Sequence, residues 1–147
     1  MKKIFAAILL TFSFEMAQAT IILKAIASPG YIATPATRTF LLDSSGLMQM
    51  KIVKSQTGSV QYIRLGQLSN YTMNEVRAEV LALDIKSPLI DDNPTSPRCL
   101  DAGGLSVLII KNKAETEIYR QEECHEFHLT SYEGQHLIKL AMGFIDL

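Results

Sequence analysis

The sequence lacks an excess of charge of either sign. Fourteen Lys and Arg residues face fifteen Asp and Glu residues, which gives a formal net charge of -1. Proteins that bind nucleic acid through bulk electrostatics carry a clear positive balance, so we expect no nucleic-acid partner. The hydrophobic content of 48% is ordinary for a packed core and excludes a disordered or low-complexity chain.

Several signatures of catalysis are also missing. There is no G-x-S-x-G turn to expose a serine nucleophile, no G-x-x-x-x-G-K loop to cradle phosphates and no Cys-x-x-Cys pair for redox or metal chemistry. An enzyme is therefore less expected than a non-catalytic protein, and the sequence indicates no cofactor.

The N-terminus has the three parts of a secretory signal peptide in order. Lys2 and Lys3 precede an uncharged, largely apolar run over residues 4–14, and Ala17-Gln18-Ala19 follows as a cleavage signal. As a helix the run would measure about 16 Å, too short for a hydrocarbon core of ~30 Å. We predict a signal peptide over residues 1–19, cleavage after Ala19 and a periplasmic or secreted protein with no membrane span after cleavage.

The two cysteines, Cys99 and Cys124, both lie beyond the predicted cleavage site. An oxidising compartment makes a disulfide their default state. Strand-like runs at 105–110 and 116–121 lie between them, and the turn at 111–115 falls midway between the two cysteines. Folding a hairpin there brings the cysteines together at its open end, so we predict a Cys99–Cys124 disulfide.

The rest of the chain, residues 20–147, is predicted to be one globular α+β domain. Alternating apolar and polar residues indicate strands near 37–42, 47–53 and 60–65, and residues 20–27 could form one more. Short turns join these runs, so the sheet should be antiparallel. We expect about five strands, covered on one face by two helices and stapled by one disulfide.

Two capping boxes predict where the helices begin. Thr72 with Glu75 starts the first, and Thr130 with Glu133 starts the second. The first helix should bury Met73, Val76, Val80 and Leu83 and should expose Glu79 to solvent. The second could end in a helix or in a short strand over residues 143–147.

The one dense cluster of reactive side chains is residues 122–128. His125, His128 and Glu126 could form a metal or hydrolytic site. In an extended chain, however, positions 125 and 128 point to opposite faces, so we expect no metal there and favour a polar strand end beside the disulfide.

A second feature that could serve function is the Pro-rich connection over residues 87–98, since long ordered loops in compact domains often carry binding residues. It could equally be a linker. The sequence therefore favours a small exported binding module for a protein or an envelope component, and its alternative is a small metal-dependent or hydrolytic enzyme that uses His125, His128 and Glu126.

Overall fold

The computed structural model describes residues 20–29, 35–95, 97–99 and 103–145, which form an α+β fold. The predicted signal peptide lies outside the described residues. The elements, in chain order, are β1 (Ile21–Ala27), β2 (Ala36–Asp43), β3 (Leu47–Lys54), β4 (Val60–Gln67), α1 (Asn70–Ala82), β5 (Ile90–Asp91), β6 (Leu105–Lys111), β7 (Ala114–Glu122), β8 (His125–His128) and α2 (Tyr132–Ile145). Neither helix is both long and apolar enough to cross a bilayer.

One antiparallel sheet contains all eight strands, in the order β4-β3-β2-β1-β6-β7-β8-β5. The expected count of about five was too low. The uncertain first strand forms as β1, and β5 and β8 were missed because they contain two and four residues. A strand of two residues is too short to show the period of two by which strands are recognised in a sequence.

The helices cover one face of the sheet, and β1 lies at the centre of that face. Leu23, Ala25 and Ala27 are fully buried and alternate with half-buried residues. Phe40 on β2 stacks against Phe144 of α2, with the ring centroids 5.1 Å apart. The core is therefore a single layer of side chains between the sheet and the two helices.

Helix α1 buries the predicted face but begins earlier than the capping box indicates. Its N-cap is Ser69, whose side chain accepts a hydrogen bond from the Thr72 amide. Thr72 thus lies inside the helix. Glu79 does not face solvent as expected, because it lies against α2, where its carboxylate contacts His136.

Helix α2 runs to Ile145, so the alternative of a strand over residues 143–147 is wrong for its described part. Its cap is Ser131 rather than Thr130, since the Ser131 hydroxyl accepts from the Gly134 amide at 3.1 Å. In both helices the true cap is a serine close to the predicted threonine. Both residue types serve as N-caps, so the sequence alone left the position open.

The β6–β7 turn is tighter than the predicted five-residue turn. It consists of Asn112 and Lys113, both with left-handed backbone (φ 53° and 67°). Two consecutive left-handed residues are typical of a type I′ hairpin, which favours glycine at the second position. Lysine at that position carries a steric cost that glycine does not.

Replacing Lys113 by glycine should therefore stabilise the protein by about 0.5–1 kcal/mol. The denaturant midpoint measures the change. Gly58, at φ +64° in the β3–β4 turn with open space around it, is the matched control: Gly58→Ala should lower the midpoint. A lower midpoint for Lys113→Gly would contradict the steric argument.

Candidate functional site

The predicted disulfide is present. Cys99 and Cys124 are bonded with their Cα atoms 5.5 Å apart, and the Cys99 amide donates to the Glu123 carbonyl. Cys124 lies in a two-residue turn between β7 and β8, in which both Glu123 and Cys124 have left-handed backbone. The disulfide therefore ties the end of the Pro-rich connection to this turn.

Strand β8 separates the residues of the sequence cluster. His125 and Phe127 lie on one face, whereas Glu126 and His128 lie on the face covered by α2. His125 is buried and pairs with Asp91 at 3.1 Å. The structure thus does not bring His125 together with His128 and Glu126, and in the described part of the chain no three His, Cys, Asp or Glu side chains could hold a metal ion.

The Pro-rich connection contributes one carboxylate to each face of the sheet. Asp91, in β5, faces His125, and the neighbouring Asp92 lies 3.4 Å from the Nδ1 atom of His128. Residue 96 of this connection lies outside the described residues. The connection is therefore tied to the sheet, because β5 pairs with β8 and both acids of the connection contact histidines.

The Asp91 carboxylate has a lowered pKa. The Asn93 amide donates a hydrogen bond to it, and His125 and the charge of Arg98 add to the effect, against an opposing contribution from burial. A carboxylate whose pKa is lower in the folded than in the unfolded chain stabilises the fold above its ordinary pKa of 3.8. That contribution is lost as the pH falls through the lower folded value.

We therefore expect Asp91→Asn to lower stability at neutral pH and to flatten its decline below about pH 4. Asparagine keeps an oxygen that accepts from Asn93, so the substitution removes mainly the charge. Urea midpoints measured from pH 2 to pH 7 test this. Asp92→Asn, at a half-exposed carboxylate, should change the profile less, and parallel profiles for wild type and Asp91→Asn would contradict the assignment.

A groove of about 590 Å³ lies between α2 and the β7–β8 part of the sheet. Its volume falls in the range typical of ligand sites. The polar groups that line it include Asp92, Glu126, His128, Tyr132, His136 and Lys139. The apolar side chains of Ile138 and Met142 complete its wall.

Each of the two groove histidines is held by a carboxylate. The Nδ1 atom of His136 lies 2.6 Å from the Glu79 carboxylate, which is 13% exposed, and that of His128 contacts Asp92. A carboxylate on one ring nitrogen fixes the orientation of an imidazole and leaves Nε2 for a ligand. Both rings are therefore oriented before any ligand binds.

Tyr132 forms the rim of the groove. Its ring stacks on His136 with the centroids 6.3 Å apart, yet the residue is 78% exposed. An exposed tyrosine held in place by a neighbouring ring can bury a large area on binding at little entropic cost.

Sequence reasoning missed the α2 side of this site. Tyr132, His136, Lys139 and Met142 recur at spacings of three and four, which places them on one helix face. The polar members of that stripe were a usable signal, but only the apolar stripe of the same helix, which defines the core, entered the prediction. The Glu79–His136 contact gives no local signal, since the residues are 57 positions apart.

Comparison of the chain with protein-family models, with curated proteins and with solved structures gives no match. A functional assignment therefore depends on the groove itself.

Proposed function

We propose that the protein is an exported, non-catalytic module that binds a protein or an envelope component in the groove between α2 and β7–β8. The observation that carries the proposal is the groove itself, in which an apolar wall is combined with two oriented imidazoles, Lys139 and an exposed Tyr132. Aromatic anchors beside a few polar groups are typical of protein interfaces. The groove offers both.

Export is supported by two independent features. Residues 1–19 have the pattern of a signal peptide, and the Cys99–Cys124 disulfide is the kind of bond that persists in oxidising compartments. The intact mass of the exported protein should equal that of residues 20–147. Retention of the first 19 residues would contradict cleavage after Ala19.

The binding proposal is tested with two double variants of the exported protein. Tyr132→Ala with Lys139→Glu alters the groove, and Tyr71→Ala with Lys113→Glu makes the same chemical changes at exposed positions outside it. Each protein is immobilised and exposed to an envelope extract of the source cell. A component retained by wild type and by the control, but lost with the groove variant, supports the proposal.

Retention of the same components by wild type and the groove variant would overturn the binding proposal. For a component that only the groove variant loses, isothermal titration of the purified component gives the affinity, which we expect to fall at least tenfold in the groove variant. An interface tyrosine commonly contributes more than ~1.4 kcal/mol, which corresponds to a factor of ten.

A hydrolytic enzyme is the second candidate, and one observation favours it. His136 is oriented by Glu79 in the way that a general base is oriented by a carboxylate, and Glu126 and His128 line the same groove. Turnover of a panel of chromogenic esters, lost on His136→Gln, would establish this candidate in place of the binding module. Stoichiometric zinc in protein purified without chelator, lost on His128→Ala, would favour its metal-dependent form.

A further inference from the structure

The outer edge of β4 is the longest backbone edge that the sheet presents. The sheet ends at β4 on one side and at the two-residue β5 on the other, and in residues 35–95 and the other described segments no strand pairs with the outer side of β4. A free edge of eight residues is a template for another extended chain. This edge is at the opposite end of the sheet from the groove, which lies beside β7 and β8.

The hairpin register shows which backbone groups of β4 are directed outward. The Lys54 amide donates to the Ser59 carbonyl at 3.1 Å, and hydrogen-bonded and non-bonded pairs alternate along an antiparallel ladder. Gln61 and Ile63, two and four positions beyond Ser59, therefore direct their amide and carbonyl groups toward β3. The residues that alternate with them direct theirs toward the free edge.

Those outward residues are Val60, Tyr62 and Arg64, and their side chains share the sheet face that the helices leave uncovered. Ile63 points the other way, because it pairs with the buried Met50. Val60 is 51% exposed and Tyr62 is 59% exposed. The edge thus presents apolar contact area beside its unpaired backbone groups.

The part of the sheet next to this edge is cationic. Residues 36–67 contain Arg38, Lys51, Lys54 and Arg64, and none of the four forms an ion pair within the described part of the chain. The acid of this segment, Asp43, is 7% exposed and accepts hydrogen bonds from its own turn. By register, Lys51 and Arg64 share the uncovered face with Tyr62, whereas Arg38 and Lys54 lie on the other face, and nothing in the segment neutralises Lys51 or Arg64.

We propose that β4 binds an extended, acidic polypeptide segment, which adds to the sheet as a ninth strand. The unpaired backbone groups require a polypeptide, and the cations select acidic residues in it. A second copy of this chain fits less well, since antiparallel pairing of two β4 strands would place the Lys51 and Arg64 side chains of both copies on the same face of one continuous sheet. Charges of one sign gathered on one face repel each other.

The test uses a labelled eight-residue peptide that alternates valine with glutamate, so that the carboxylates share one face. The comparison peptide has lysine in place of glutamate, and fluorescence anisotropy at low salt measures binding to residues 20–147. We expect wild type to prefer the glutamate peptide at least tenfold and to lose that preference as salt is raised. Lys51→Glu with Arg64→Glu should reverse the preference.

Two further variants locate the contact. Tyr62→Pro removes an outward amide without removing a hydrogen bond to β3, as proline on an edge strand can, and should weaken glutamate-peptide binding at least tenfold. Lys86→Glu with Lys113→Glu makes the same charge change at exposed sites away from β4 and should leave the preference for the glutamate peptide intact.

Equal binding of the two peptides by wild type would overturn the proposal. A concentration-dependent dimer, measured by sedimentation, would also overturn the proposal if Tyr62→Pro or Lys51→Glu with Arg64→Glu abolished it. In that case β4 would bind a second copy of the chain. If Tyr62→Pro does not fold, the peptide preference of Lys51→Glu with Arg64→Glu tests the proposal alone. The groove variants Tyr132→Ala and Lys139→Glu should not affect peptide binding, so this test and that of the groove fail separately.

Discussion

Val80→Asp should unfold the domain at neutral pH. Val80 is 6% exposed and packs in the single core layer beneath α1. An aspartate there loses the apolar contacts of valine and places a carboxylate in the core layer, where its desolvation is costly. The combined cost is about 5 kcal/mol, which equals the lower limit of the ~5–15 kcal/mol that stabilises a domain.

Ala78→Asp is the matched control, because it introduces the same charge at an exposed position two residues earlier. It should cost only about 0.5 kcal/mol through helix propensity. Circular dichroism and urea midpoints measure both variants. A larger loss for Ala78→Asp would mean that α1 presents its other face to the sheet. Glu79 cannot serve as the control, since its carboxylate contacts His136 on α2.

Removal of the disulfide has the second largest expected effect. Cys99→Ala with Cys124→Ala opens a loop of 25 residues, which in the chain-entropy model costs about 3.5 kcal/mol. The loss should appear as a lower urea midpoint, and wild type kept in reductant should match the double variant. An unchanged midpoint would show that the unfolded chain gains little freedom when the bond is absent.

The same variant should also show a local effect. Beyond the Cys99 amide bond to Glu123, the connection is held to the β7–β8 turn by an Arg98–Glu123 ion pair. It is held to β8 by β5 and by Asp92, whose amide donates to the Glu126 carbonyl. Without the disulfide we expect the rate of amide hydrogen exchange to increase more at β5 and β8 than at β1. Uniform acceleration over the whole sheet would instead indicate that the disulfide stabilises the domain only as a unit.

Much of the fold could be predicted because its signals are local. The alternation at Met48, Met50 and Ile52 reports a half-buried strand, and the spacing of Val76 and Val80 reports the buried face of α1. The disulfide could be predicted because a hairpin turn lies midway between its cysteines. In each case neighbouring residues carry the pattern.

The candidate site could be predicted only in part because it is assembled from distant segments. His128 comes from β8, His136 from α2 and Glu79 from α1, and no local pattern states that they meet. The geometry of a strand predicted that His125 and His128 lie on opposite faces. It did not predict that Asp91 and Asp92 would be their partners. Those contacts depend on β5, whose two residues have no period to detect.

The place of β1 in the sheet has a consequence for the order of events during synthesis. β1 is the first strand of the described residues, yet it lies between β2 and β6, and Leu23 pairs with Ile109. Its second neighbour is absent until about three quarters of the chain has been made. Such distant pairing delays folding, so the sheet cannot close around β1 until most of the chain is available.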